Sequence, residues 1–340
     1  MTQFPYIKYS PSCKGRGVRL AYFDLGANWA NTLRLFQDIS GCDPTDGRWE
    51  IYAWEAHPLI TPYVDRFVDW LNGVGIRPRM DIIPSGSTPD MINFAERHGC
   101  APTLTAGLTG PEMHLIMKRV AECLSASKRI KSALRKLKVD RALASKDLVS
   151  NRLAMAAKPH RNDAGPYTVR RQRFTLIPAA AGTKNGTLEF AFTRFGLLKG
   201  VGAPNESTGR SNLKSSKDKR QSISQTESAR ALVFDFPEWF AAWFEANDYI
   251  VVKMDIEGFE FAVIQKMIDL GVICHIDVLA WQCHGHSAPA GVSCGTLYRR
   301  IKDMCPHILV LSENSRKEGD SKYDGFDRAS KTELLHYGPY

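Results

Sequence analysis

At 340 residues, 44% hydrophobic and 24% charged, the chain is long enough to bury one large core or two modest ones and is too apolar for wholesale disorder. No apolar run approaches the roughly 18 residues a bilayer span needs. The opening MTQFPYIKYS lacks a basic stretch followed by an apolar one, so a soluble, cytoplasmic protein is expected.

The net charge of +9 invites a polyanionic partner, but its location matters more than its sum. Met113 to Arg173 holds 16 Lys and Arg against 4 Asp and Glu, a larger surplus than that of the whole chain. The basicity therefore belongs to one segment. The eight cysteines (Cys13, Cys42, Cys100, Cys123, Cys274, Cys283, Cys294 and Cys305) are scattered without a C-x-x-C pair, and reduced thiols are expected. Cys283, His284, His286 and Cys294 are metal-type residues, but their spacing fits no usual zinc pattern, and no metal ligands are assigned.

In chain order, Val18 to Phe23 reads as a strand ending at Asp24. Leu25-Gly26-Ala27-Asn28 is the turn into a helix carrying Leu33 and Phe36. A glycine there lets backbone approach a ligand closely, and the helix start offers free N–H groups. The full G-x-G-x-x-G fingerprint is absent, because Asn28 takes the place of the second glycine. Ile51 to Trp54 is a second strand closed by Glu55, an acidic residue where such folds hold two ribose hydroxyls. Pro62 to Leu71 suits a helix. Residues 73–167 then depart from a compact βαβ unit and read as a basic, mainly helical insertion within one domain spanning 1–340.

Arg173 to Ile177 restores a strand, followed by the small residues Pro178 to Gly182, and Gly186 to Phe192 alternates like an added antiparallel strand. Residues 200–230 are polar and are expected to form a mobile loop. The aromatic residues from Phe236 to Phe244 recur at helical spacing and suit packing against a sheet. Tyr249 to Gln265 (YIVVKMDIEGFEFAVIQ) is an apolar strand running into carboxylates and then a helix. Ile276 to Trp281 is a further strand delivering Gln282, Cys283 and His284 to the same edge, and Leu334 to Tyr337 is expected to close an edge strand.

FDLGAN (Phe23 to Asn28), the strand ending in Glu55, the small-residue loop Ala179 to Gly182, KMDIEGFE (Lys253 to Glu260) and the closing strand with His284 resemble FkbM-type methyltransferases, class I enzymes dependent on S-adenosylmethionine. The resemblance spans residues 18–286 and implies an α/β, Rossmann-like, mostly parallel seven-stranded sheet. It implies that Asp24, Gly26, Ala27 and Asn28 surround the methionine part of S-adenosylmethionine, that Glu55 holds the ribose, and that Ala179 and Ala180 line the adenine. This chain departs from the family at Glu55-Ala56, where Glu-Pro is common, and at Trp281-Gln282, where a Glu is common.

The implied activity is O-methylation of a sugar, glycan or other small hydroxyl-bearing metabolite. Asp255, Glu257 and His284 are the candidate catalytic residues, with His284 as a base neutral near pH 7 and Asp255 orienting the acceptor or helping to hold a divalent cation. A plainer role for Asp255 and Glu257 is capping the helix that follows. Two other readings stand beside it: RNA methylation through the basic insertion, and a binding protein on a degenerate methyltransferase fold. Oligomeric state is left open by the sequence.

Overall fold

The computed structural model of the chain describes residues 18–28, 30, 32–33, 36, 39, 42–43, 46–57, 60–75, 146–157, 172–192, 203–205, 227–285 and 288–312. Three six-residue strands are buried at every position: β1 (Leu20–Leu25, LAYFDL), β2 (Trp49–Trp54, WEIYAW) and β8 (Tyr249–Met254, YIVVKM). Runs of this kind need cover on both faces and so sit in the middle of a parallel sheet.

That sheet also holds β3 (Arg173–Ile177), β9 (Val278–Trp281) and β10 (Leu309–Ser312), in the order β10-β9-β8-β1-β2-β3. All five pairings are parallel. Counted along the chain within this sheet, the order is 3-2-1-4-5-6, a Rossmann-like α/β arrangement whose direction reverses between β1 and β8. The registers pair Ile177 with Trp54, Trp54 with Leu25, Leu25 with Met254, and Met254 with Trp281. The strands therefore end level, and the next residue of each falls on one rim. A second sheet, β4-β7-β5-β6, is built from β4 (Ala180–Gly182), β5 (Gly186–Phe192), β6 (Ala203–Asn205) and β7 (Glu227–Asp235). As expected, β5 is antiparallel to its neighbours.

Helices α1 (Thr61–Leu71), α2 (Lys146–Ala157), α3 (Phe236–Trp243), α4 (Glu260–Asp269) and α5 (Cys294–Met304), with a short 3-10 helix at Ile273–His275, complete the described elements. The expected aromatic packing of α3 is borne out. The Phe23 ring stacks on Tyr52 and takes the edges of Phe236, Phe240 and Phe244 at 4.9–5.7 Å between centroids. Pro237 at the first turn and the Asp235 side chain, which accepts from the Glu238 N–H, start that helix. Asn72, just past α1, both donates to and accepts from the Phe174 backbone, occupying part of the edge that β3 would otherwise expose.

At the amino ends of the strands, Arg19 donates to Glu50, to the Tyr52 hydroxyl and to the Trp243 carbonyl, with its guanidinium 4.1 Å from the centre of the Phe244 ring. The Tyr52 hydroxyl donates to the same Glu50 carboxylate.

Several expectations change. The first strand is Leu20–Leu25 rather than Val18 to Phe23, because both faces stay covered through Leu25, and Asp24 is thereby buried inside the strand instead of ending it. Six strands, not seven, are found in the central sheet among the described residues. The polar segment 200–230 contributes β6 and the start of β7, and its remaining residues lie outside the described ones. The edge opposite β3 is formed by β10, from the apolar run Ile308 to Leu311, while Leu334 to Tyr337 lies outside the described residues.

Of the insertion only 73–75 and 146–157 are described. There Arg152 of α2 pairs with Asp65 of α1 at 2.7 Å and donates to the Leu176 carbonyl, tying α2 to the sheet. The described cysteines are not reduced: Cys274 is bonded to Cys305 and Cys283 to Cys294, and no described cysteine is free. Scattered spacing hid these pairs, since the topology rather than the sequence brings each partner close. Paired cysteines are typical of oxidising compartments, so the fold gives the cytoplasmic expectation no support. No helix among the described residues is long and apolar enough to cross a membrane.

Candidate functional site

The carboxyl end of β1 meets that of β8 where the sheet reverses direction, the crevice in which open α/β sheets bind ligands. The turn after β1 is anchored from both sides. Gly26 and Ala27 donate to the Trp54 carbonyl at 3.0 and 2.9 Å, and Asp255 donates from its backbone to the Leu25 carbonyl at 3.0 Å. Gly26 has φ +82°, and a Cβ there would run into the Asp255 carbonyl oxygen, so only glycine fits. Asn28 and Ala30 follow with φ 51° and 65°. Non-glycine residues in this region are strained by about 1–3 kcal/mol each and gather at functional sites.

Asp24 is fully buried beneath this turn and accepts from the Thr32 hydroxyl at 2.7 Å. The Lys253 ammonium lies 3.1 Å from Asp24 and 3.9 Å from Asp255 and donates to the Gly26 carbonyl at 2.6 Å. Burial alone would lower the Lys253 pKa, but Asp24 and Asp255 outweigh it and raise it. Lysine here bolts β8 to the turn after β1.

Glu55 begins the next stretch of rim. Its carboxylate accepts the His57 N–H at 2.7 Å and the backbone N–H of Asn28, which links the two turns. Burial pushes its pKa up to about 7, with those two N–H groups pulling the other way. Beyond it, Ala179 is fully buried and Ala180 partly so, at the end of β3.

On the β8–β9 side, Asp255, Glu257 and His284 bring one donor atom each to within 4.8 Å of one another. His284 Nε2 lies 3.9 Å from Asp255 and 3.6 Å from Glu257, while its Nδ1 is 2.9 Å from Glu260. Glu260 is fully buried and also accepts the backbone N–H groups of Ile256 and Gly258, both at 2.8 Å. The N–H groups just before α4 are thus engaged by Glu260, and the residue preceding the helix, Phe259, makes no side-chain cap. That leaves Asp255 and Glu257 with side chains 29% and 32% exposed, turned to His284 rather than to capping. Glu257 holds φ 55° and Gly258 φ 105° to make the bend.

Burial raises the pKa of Asp255 and of Glu257. The hydrogen bond to Glu260 raises that of His284 to about 8, with burial opposing it. His284 is therefore mainly protonated at pH 7 in this arrangement, where the sequence led us to expect a neutral base.

The fold thus gathers the expected site residues on one edge in two groups, Gly26, Asn28 and Glu55 on one side and Asp255, Glu257 and His284 on the other, joined at the switch point. Two residues of KMDIEGFE whose roles the sequence left unassigned, Lys253 and Glu260, are the buried charges that hold the groups together. A lysine inside the otherwise apolar run YIVVKM was the available signal for the first. Neither a protein-family model nor a curated protein nor a solved structure matches the chain.

Proposed function

We propose that the protein is an S-adenosylmethionine-dependent O-methyltransferase of the FkbM type, acting on a hydroxyl of a sugar, glycan or other small metabolite. The observation that carries the reading is the charge of the rim at the switch point. Asp24, Glu55, Asp255, Glu257 and Glu260 converge there against Lys253 and His284. A rim dominated by carboxylates suits a cationic sulfonium and opposes the pyrophosphate of a dinucleotide, the other ligand class common to this strand order.

The residues fit the cofactor. Glu55 has two backbone donors, and a carboxylate has about four acceptor positions, so capacity remains for ribose hydroxyls. The absent side chain at Gly26 leaves the turn's backbone open to close approach. When bound, S-adenosylmethionine would supply a methyl group for transfer from its sulfonium sulfur to an acceptor oxygen. Asp255, Glu257 and His284 stand at the other end of the crevice to orient the acceptor, with the two carboxylates as the groups able to take up its proton at pH 7.

The test is transfer of labelled methyl from S-adenosylmethionine to a panel of glycans and hydroxylated metabolites, with RNA alongside. Turnover on a hydroxyl acceptor, lost in Asp255→Ala, is the expected result. Full turnover by Asp255→Ala on that acceptor removes its catalytic assignment, and labelling of RNA alone replaces the substrate class.

A further inference from the structure

We infer that Asp255, Glu257 and His284 bind a divalent first-row transition cation, with Mn2+ as the best match to the donor set. The site stands on geometry alone; only its use in activating an acceptor hydroxyl rests on the methyltransferase reading.

The donors come from two separate elements, the bend after β8 and the end of β9, and converge within 4.8 Å without any one of them being a cap for α4. Ligands that share an ion at about 2.0–2.2 Å sit roughly 3.0–3.5 Å apart. The His284 distances of 3.9 and 3.6 Å therefore need to close by well under an ångström.

A second observation is the way the imidazole is aimed. Glu260 is fully buried at the first residue of α4 and faces Nδ1 of His284 at 2.9 Å. A carboxylate engaged by the Ile256 and Gly258 N–H groups acts as an acceptor, so Nδ1 is the ring nitrogen that carries the proton in a neutral His284. In that tautomer Nε2 carries the lone pair, 3.9 Å from Asp255 and 3.6 Å from Glu257. An outer carboxylate that fixes the tautomer and orientation of a histidine in this way is a regular companion of metal-binding histidines.

Charge points the same way. The nearest ammonium, Lys253, is 3.1 Å from Asp24 and 3.9 Å from Asp255, and His284 faces Glu257 and Glu260, so two cationic groups at most answer four carboxylates. One imidazole with two carboxylates suits Mn2+, Fe2+ or Zn2+ better than the oxygen-only preference of Ca2+ or Mg2+. Three protein ligands leave positions open for an acceptor oxygen, whose hydroxyl proton passes more readily to solvent when the oxygen is bound to a cation.

The experiment is calorimetric titration of MnCl2 into the chelator-treated full chain in the absence of any cofactor, with ZnCl2 and MgCl2 in parallel. Wild type is expected to bind one Mn2+ per chain. Glu257→Gln and His284→Ala are expected to lose saturable binding, and Glu260→Gln to weaken it by about 10–100-fold at unchanged stoichiometry. Circular dichroism checks that each variant folds, and Glu257→Gln, altering the most exposed ligand, keeps the test open if another does not. Absence of saturable binding of Mn2+ and Zn2+ by wild type, or binding unchanged in folded Glu257→Gln and His284→Ala, overturns the site. A parallel titration with S-adenosylmethionine separates the two claims. Cofactor binding without Mn2+ binding defeats the cation site alone, and Mn2+ binding without cofactor binding keeps it while defeating the methyltransferase reading.

Discussion

At the amino ends of the central strands, Arg19, Glu50 and Tyr52 form a closed cluster in which the guanidinium meets its carboxylate, a hydroxyl, a carbonyl and an aromatic face. At the carboxyl ends of the same strands, carboxylates outnumber their cations. The described non-glycine residues with positive φ, Asn28, Ala30 and Glu257, all lie there too. Both ends bury charge on the same scaffold. The first is balanced within itself, as a structural cluster should be; the second is unbalanced and strained, which makes sense if something outside the chain completes it.

The largest effect that separates the two ends is on stability. Arg19→Met leaves Glu50 buried without its guanidinium and is expected to cost about 3–5 kcal/mol in denaturant unfolding, with the affinity for S-adenosylmethionine unchanged. A matching loss of affinity would break the division. Next come the disulfides, Cys274–Cys305 and Cys283–Cys294, which close chain segments of 31 and 11 residues. Removing either pair by Cys→Ser exchange is expected to cost about 2–4 kcal/mol. Thermal unfolding with and without reductant checks this, and a melting curve indifferent to reductant contradicts the pairing. Gly26→Ala puts a methyl group against the Asp255 carbonyl at φ +82° and is expected to destabilise by more than about 1 kcal/mol while abolishing cofactor binding.

A pH dependence is expected at Glu55, whose pKa burial raises to about 7 from an ordinary 4.5. Between those values the folded chain holds a proton that the unfolded chain has released, so this group's contribution to stability is present at low pH and declines as pH rises through the window. Comparison of wild type with Glu55→Gln across that range reads the effect directly. Affinity for a ligand that donates hydroxyl hydrogen bonds to the ionised carboxylate should rise as pH passes 7, and a flat profile would place the ligand elsewhere.

Most of the central sheet was legible in the sequence, because its strands are runs of apolar residues buried on both faces. Arg173 to Ile177 falls where expected, and the residues after Trp54, Met254 and Trp281 reach the rim. Strand pairing was not legible, since the local pattern of Glu227–Asp235 resembles a polar tail running into a helix and becomes a strand only against β5 and β4. The site divides in the same way. Carboxylates at strand ends could be found from spacing, whereas the inward turn of Glu260 toward His284 depends on contact between segments 24 residues apart. The raised pKa of His284 has that same long-range cause, which is why its protonation at neutral pH was not foreseen.

The most direct measurement is calorimetric titration of S-adenosylmethionine and its demethylated product into wild type, Glu55→Ala and Arg19→Met at pH 8 and moderate salt. The expected result is saturable binding by wild type and Arg19→Met, with Glu55→Ala weakened by about 10-fold or more, as loss of hydrogen bonds to a charged group implies. No binding by wild type, or equal binding by wild type and Glu55→Ala, would contradict the assignment of the switch-point rim as a cofactor site.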